Sequence, residues 1–250
     1  MNQPARLRLD QLLVERGFFA SRARARDAVL RGTVLVDGQN AAKAGQMVAA
    51  TASVSVADPA QNYVSRAALK LLHGLDAFEI DPAGCTALDV GASTGGFTQV
   101  LLERGASHVL AIDVGRDQLA ETLREDRRVT SIEGLNAREL ERSHLGNLKI
   151  DLVVSDVSFI SLKLALPRAL ALAEPGAKAI LLVKPQFEVG REKIGKGGIL
   201  RDREDGIRVA DDLRQWLDQQ PGWRATGLVP SPIEGGDGNR EFLLSGCKDQ

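Results

Sequence analysis

A chain of 250 residues with 44% apolar content, few aromatics and a net charge of −1 has room for one large α/β domain and one small one. Its two cysteines, Cys85 and Cys247, make neither a disulfide framework nor a metal-ligand spacing, and with no apolar run of transmembrane length and no apolar leader the expectation is a metal-free cytoplasmic protein. The charge is uneven: residues 1–58 carry eight Lys/Arg against five Asp/Glu, a net +3 that leaves −4 for the rest, and a basic head on an acidic body predicts that the head meets a polyanion.

Residues 9–16 read as a short amphipathic helix with Leu9, Leu12 and Leu13 on one face, ended by Gly17. Ser21 is placed to cap a second helix over 22–31, closed by Gly32. Ala25, Ala28 and Val29 form its inner face; Arg22 and Arg26 stand one turn apart on the other, with Arg24 on the flank. The run Thr33-Val-Leu-Val-Asp-Gly38 alternates and turns like a strand entering a hairpin, and 48–56 supplies further short strands. This succession of helix, arginine helix and Gly-x-Val-x-Val-Asp-Gly resembles the small α+β RNA-binding domain of the S4 type. The resemblance implies RNA contacts from Arg22, Arg24, Arg26 and Arg31; Arg6, and Arg66 further along, are added as RNA-binding candidates. Guanidinium groups suit phosphate and give affinity with little sequence reading.

Asp58-Pro-Ala-Gln-Asn62 reads as a linker, which gives an expected division into a domain at 1–58, a connection at 59–64 and a second domain at 65–250. Ser65 is the expected cap of a helix over 66–77, with Ala68, Leu71, Leu72 and Leu75 buried and Arg66, Lys70 and His73 as a polar stripe. The apolar run 87–90 is a buried strand; Gly91, Gly95 and Gly96 turn the chain into a helix over 97–103 closed by Gly105, and a second strand, 108–113, ends in Asp113. Strand, glycine turn and helix hold nucleotide-like ligands at the carboxyl edge of a parallel sheet. Ser93 breaks the G-x-G-x-x-G dinucleotide pattern, and no Gly-Lys-Ser/Thr follows for a phosphate loop. A glycine turn with a distal acid suits S-adenosylmethionine, which has a ribose and no phosphate. The candidate cofactor residues are Asp89, Gly91, Ala92, Ser93, Thr94, Gly95, Gly96 and Phe97 around the methionine part, Asp113 at the ribose hydroxyls, Asn136 near the adenine, and Asp156. For Asp89 a capping role in the turn is the alternative.

Further on, a helix over 118–124, a strand over 129–132, a strand over 150–156, a helix over 162–173 and a strand over 179–183 are expected. They are followed by a Gly- and Lys-rich, mobile-looking loop at 190–198, a helix over 204–219, and two closing strands at 223–229 and 241–245. Alternating strands and helices that end in two successive strands describe an α/β, mostly parallel sheet with one antiparallel strand near an edge. Asp156 and Lys184 then lie at carboxyl ends of strands, Glu241 at the amino end of an antiparallel one, and Lys70 on the helix that leads into the sheet, so all four can reach the ligand crevice.

This Lys-Asp-Lys-Glu set resembles that of the FtsJ-type ribose 2′-O-methyltransferases. Val64-Ser-Arg-Ala-Ala-Leu-Lys70, Leu88-Asp-Val-Gly-Ala-Ser-Thr-Gly-Gly-Phe97, Ser155-Asp-Val-Ser-Phe-Ile-Ser161, Val183-Lys-Pro-Gln-Phe-Glu-Val-Gly190 and Gly238-Asn-Arg-Glu241 together are similar to the TlyA (hemolysin A) family over nearly the whole chain. The resemblance implies a Rossmann-like class I methyltransferase fold with a seven-stranded sheet behind the S4-like domain. It also implies 2′-O-methylation of cytidine in ribosomal RNA, with Lys70, Asp156, Lys184 and Glu241 as catalytic residues and the ribosomal subunit as partner. Gln61-Asn-Tyr-Val64 stands where the family has Arg-x-Trp-Val, so the linker arginine is absent. A ribose hydroxyl is a poor nucleophile, so the chemistry needs alignment and help with its proton or developing charge; Lys184 is the expected group, as base or as ammonium. A membrane-active hemolysin, and an RNA-binding module with an inactive body, are the competing readings; the first lacks a hydrophobic span, and the second does not account for four suitable residues in the right places.

Overall fold

The computed structural model describes residues 5–249 and divides the chain between Asn62 and Tyr63 into two compact units. The first unit runs β1 (Arg6–Arg8), α1 (Leu9–Glu15), α2 (Arg22–Leu30), β2 (Val34–Val36), β3 (Gln39–Asn40), β4 (Met47–Ala49) and β5 (Val54–Val56). β1 pairs antiparallel with β4, and β2 is flanked by β3 and β5. Leu9, Leu13, Ala25, Ala28 and Val34 are fully buried between the helices and these ribbons. Ser21 caps α2 by accepting the Arg24 N–H at 3.3 Å. β1 leaves no trace in the sequence, because a three-residue Arg-Leu-Arg strand is too short to show a period.

The second unit runs α3 (Ala68–Ala77), β6 (Thr86–Val90), α4 (Gly96–Glu103), β7 (His108–Asp113), α5 (Glu121–Arg124), β8 (Val129–Glu133), α6 (Arg142–Leu145), β9 (Ile150–Ser155), α7 (Leu162–Ala165), α8 (Pro167–Leu172), β10 (Ala173–Val183), α9 (Arg203–Asp218), β11 (Trp223–Pro230) and β12 (Phe242–Lys248). Its seven strands lie in the order β11-β12-β10-β9-β6-β7-β8. β10, β9, β6, β7 and β8 pair parallel; β12 is antiparallel to both β10 and β11. The sheet is therefore α/β and mostly parallel, and its antiparallel strand is inserted beside the edge strand. Two apolar clusters cover its faces: one holds Leu71, Leu75, Val100 and Leu101, the other Leu110, Leu166, Leu170 and Leu213. Each of these buried leucines contributes roughly 1.5–3 kcal/mol.

Several expected boundaries move, each for a local physical reason. The helix expected over 66–77 begins at Ala68, because the Ser65 hydroxyl takes the Ala67 N–H at 3.1 Å and forms a turn instead of a cap. The helix expected from 118 starts at Glu121, because the Glu133 carboxylate takes the N–H groups of Asp117, Gln118 and Leu119. Pro167 breaks the expected 162–173 helix into α7 and α8. β10 starts at Ala173, before Pro175-Gly176, with a register shift on the way to Lys178. The 190–198 loop carries two 3₁₀ turns and an Ile194–Leu200 bridge.

Candidate active site

The carboxyl edge of the sheet is shaped first by the turn after β6. Gly91 has φ +83°, and a side chain there would strike Val157; Gly95 has φ +96°, and its Cβ would collide with Leu119 and Leu123. Both conformations favour glycine, so the turn and the neighbouring chain alone require these two residues. Ser93 is itself left-handed, φ +48°, and its N–H donates to Asp113 Oδ2 at 2.8 Å while Gly115 N–H donates to Oδ1 at 2.7 Å. Asp113 is thus fixed at the end of β7 with lone pairs remaining for further donors.

A cleft of about 540 Å³ opens over this turn, lined by Gly91, Ser93, Asp113 and Asn136 from the predicted set and by Asp156 at its far side. Asn136 also caps a short turn by accepting the Arg138 N–H at 3.1 Å. Val114, Gln118, Leu135, Phe159 and Ile160 line the same cleft and were not legible as site residues. A smaller cavity of about 130 Å³ adjoins through Gly91, Ser93, Asp156 and Ser158, and is bounded by Ala92, Thr94, Gly96, Phe97 and Lys184. Gly95 shapes the turn without lining either space, and Phe97 is otherwise a core residue, 2% exposed.

Asp89 lies beneath the turn, fully buried, and lines neither space. Its Oδ2 accepts the Thr98 hydroxyl at 2.7 Å in the first turn of α4, whereas Oδ1 has no hydrogen-bond partner among the described residues. Burial, with the charges of Asp156 and Asp113 adding to it, pushes the carboxyl up to about 7 against the opposing Thr98 hydrogen bonds. A fixed acid at the end of β7 and a roomy cleft over the glycine turn together fit a ribose-bearing ligand such as S-adenosylmethionine.

The four candidate catalytic residues meet as two ion pairs. Lys184 follows β10, and its Nζ lies 2.6 Å from Asp156 Oδ1 and donates to Ser158 Oγ at 2.7 Å. Asp156 follows β9, and its N–H bonds the Val90 carbonyl, which sets it beside the glycine turn. Lys70 Nζ lies 2.5 Å from Glu241 Oε2, with the two residues 5% and 3% exposed. Val183 pairs with Phe242 across β10 and β12, so Lys184 and Glu241 leave the sheet at one place. Lys70, expected on a polar stripe with Arg66 and His73 and within reach of the crevice, is buried: α3 rests on the sheet at Gly74, whose Cβ would lie 3.0 Å from Ile180. Lys184 and Asp156 open onto the small cavity; Lys70 and Glu241 line neither space.

A brace that sequence reasoning missed joins the two loops. Glu188 accepts the Ser161 hydroxyl at 2.5 Å and the Leu162 N–H at 2.7 Å, which ties the turn after Lys184 to the loop after Asp156. On that loop Phe159 is 90% exposed at φ +64°, its ring 5.0 Å from that of Phe187.

In the first unit, the predicted arginines part company. Arg22 and Arg26 line a groove of about 560 Å³ with Arg8 and Lys43. Asp10, held down to about 2 chiefly by its hydrogen bonds with Arg8, also pairs with Arg22 at 3.0 Å and fixes both forks. Arg6 is exposed and bonds the Met47 carbonyl. Two of the predicted arginines have partners within the unit. Arg31, its side chain 15% exposed, lies 2.7 Å from buried Asp58. Arg24 donates to the carbonyls of Ala60 and Gln61. Arg66, in the second unit, lies beside Gly236.

Comparisons with known proteins identify the family of each unit. The FtsJ-like methyltransferase family model matches residues 63–248, and the S4 domain model matches 7–54. The chain is similar to the 16S/23S rRNA (cytidine-2′-O)-methyltransferase TlyA of Mycobacterium tuberculosis, with 45% identity over 96% of this chain and 89% of that one. It is likewise similar to Hemolysin A of Brachyspira hyodysenteriae, with 38% identity over 95% and 98%. A solved structure from Streptococcus thermophilus superposes with a TM-score of 0.76 at 37% identity, covering 99% of this chain and 90% of that one.

Proposed function

Since this chain belongs to the TlyA family, in which an S4 domain precedes an FtsJ-like methyltransferase domain, we propose that it methylates the ribose 2′-hydroxyl of cytidine in ribosomal RNA with S-adenosylmethionine as donor. The carrying observation is the Lys184–Asp156 pair at 2.6 Å, set where a cavity beside the glycine turn meets a cleft that ends at Asp113. When bound, the cofactor supplies an electrophilic methyl group on a sulfonium.

The chain's own residues do the rest. Gly91, Ser93 and Thr94 form the floor that holds the cofactor's amino-acid end, Asp113 accepts the ribose hydroxyls, and Asn136 with Leu135 bounds the base. Asp156 anchors Lys184, whose nitrogen takes the hydroxyl proton or balances its developing charge. Lys70 and Glu241 act behind them as a buried wall that fixes the end of β12 against β10. Phe159, exposed at the rim of the cleft, offers a face on which a displaced base stacks. Residues 1–58 grip RNA through the Arg8, Arg22, Arg26 and Lys43 groove, 59–64 connect, and 65–250 carry the chemistry. The work is that of the cytoplasm, where ribosomes are assembled. Among the described residues no helix is long and apolar enough to cross a membrane.

The test is methyl transfer from labelled S-adenosylmethionine to unmodified ribosomal subunits, followed by mapping of ribose methylation. Label at a cytidine 2′-oxygen supports the reading. Label on a base, no label with wild-type protein, or wild-type labelling with Lys184→Ala overturns it.

A further inference from the structure

We infer that Ser158 is a positioning residue for the methyl-transfer step: its hydroxyl fixes the direction in which the Lys184 nitrogen faces the reacting sugar oxygen. The inference rests on the reading above, in which Lys184 acts on that oxygen.

A lysine nitrogen has four tetrahedral positions, one of them taken by Cε. In Lys184 a second donates to Ser158 Oγ, 2.7 Å away, and a third, more weakly, to the Asp156 carbonyl at 3.5 Å, while Asp156 Oδ1 lies 2.6 Å off as an ion pair without hydrogen-bond geometry. The fourth position is left for the cavity that both Lys184 and Ser158 line with the glycine turn. In an ammonium that position is an N–H, and in a free amine it is the lone pair; either is useful only if aimed. Asp156 alone leaves the group free to rotate about Cδ–Cε and about its own axis. A second acceptor removes that freedom, and a misplacement of about 1 Å can cost on the order of a hundredfold in rate.

The loop that carries the hydroxyl is tied down. Ser158 lines both the cleft and the small cavity, so it sits where the cofactor space meets the catalytic space. Its loop is clamped three residues on by Ser161 and four on by Leu162, both bonded to Glu188 of the Lys184 turn. The residues at either end of the Lys184–Ser158 contact are thus tied to each other by a second, independent bond. The charged group paired with the Lys184 nitrogen is Asp156 from the end of β9; the Lys70–Glu241 pair belongs to the adjoining strand end, where Val183 pairs with Phe242.

Removing the hydroxyl removes an acceptor that stabilises the ammonium over the amine. The midpoint of the pH–rate profile moves down whichever form is active: a rising limb then starts at lower pH, a falling one ends at lower pH.

The experiment measures methyl transfer from labelled S-adenosylmethionine to unmodified ribosomal subunits across pH 6–10, with donor affinity by calorimetry and melting temperature for each variant. Ser158→Ala is expected to lower kcat about tenfold and displace the pH midpoint downward by roughly one unit, with donor affinity within about twofold of wild type. Ser158→Thr, which keeps a hydroxyl, is expected to restore both. A native-fold Ser158→Ala with the wild-type midpoint overturns the inference, as does a native-fold Ser158→Thr that shows no recovery. If Ser158→Ala fails to fold, the pH midpoint of Ser158→Thr and of Ser158→Cys decides: a shift in Cys alone supports, no shift in either overturns. Lys184→Ala separates the two levels. Wild-type rates in Lys184→Ala would sink the catalytic reading itself, whereas an inactive Lys184→Ala beside an unperturbed Ser158→Ala sinks only the role of Ser158.

Discussion

Thr98 donates its hydroxyl to one oxygen of Asp89 at 2.7 Å, and among the described residues nothing donates to the other. The half-satisfied carboxyl lies fully buried and holds its proton to about 7. An unfolded chain releases that proton near pH 4, so between about 4 and 7 the folded state binds the extra proton, and stability falls as pH rises through this window. Asp89→Asn removes the effect. Its melting temperature should exceed that of wild type at pH 8, for a stability gain on the order of 4 kcal/mol at most, and the difference should vanish near pH 4. Thermal melts across that range check it.

The Lys70–Glu241 contact predicts a different pattern. Removing one charge strands the other in an apolar wall, at a cost of about 3–5 kcal/mol. Lys70→Met and Glu241→Leu should each melt well below wild type, and the double variant should recover much of the loss. A double-mutant cycle by denaturant unfolding measures this; additive losses would show that the pair is not coupled.

Glu188 braces the loop after Asp156 through two bonds. Glu188→Ala leaves the Leu162 N–H and the Ser161 hydroxyl without that partner, for an expected loss of about 1–3 kcal/mol, and lets the Lys184 surroundings drift. Methyl transfer should fall about tenfold or more, with Ser161→Ala reproducing part of the fall. Unfolding curves beside methylation rates test both halves.

Phe159 holds a left-handed backbone and an almost fully exposed ring. Phe159→Gly should therefore leave the fold as stable as wild type or better. Under the stacking role proposed for it, the same change should weaken RNA-dependent turnover by about 1–3 kcal/mol equivalent and leave donor binding alone. Equal rates for Phe159→Gly and wild type would remove that role.

The arginines of the first unit sort by salt. Arg26→Ala and Lys43→Ala, at the groove, should weaken RNA binding and lower the slope of log affinity against log salt by about one each. Arg31→Ala should instead lower the melting temperature, since it abandons the buried Asp58 carboxylate.

Much of this arrangement could be read from residue order. The strand–glycine–helix stretch from Ala87 and the acid at Asp113 announce themselves through an apolar run, three glycines and spacing, and β6, α4 and β7 stand where these features put them. Glu241 could be placed at the carboxyl edge because two successive closing strands require one of them to run backward, and β12 does. What stayed hidden depends on contacts between distant segments. Periodicity on α3 marks Lys70 as polar; only the descent of that helix onto Ile180 at Gly74 buries it. Glu133 shortens α5 by capturing three N–H groups, and nothing in its neighbours' composition foretells that. Arg24 and Arg31 find their partners within the unit only once the chain folds back on them. Ser158 and Glu188 are ordinary residues in a loop until Lys184 and Ser161 arrive beside them.

The placement of β12 between β10 and β11 has a consequence for how the molecule is made. Lys70 is synthesised early, and its counter-ion comes 171 positions later. Until that final strand slots in, a nascent molecule carries an ammonium with no mate and a sheet with an open seam. The second unit therefore closes its sheet only when its last strand is made, whereas the first unit carries a core of its own from the start.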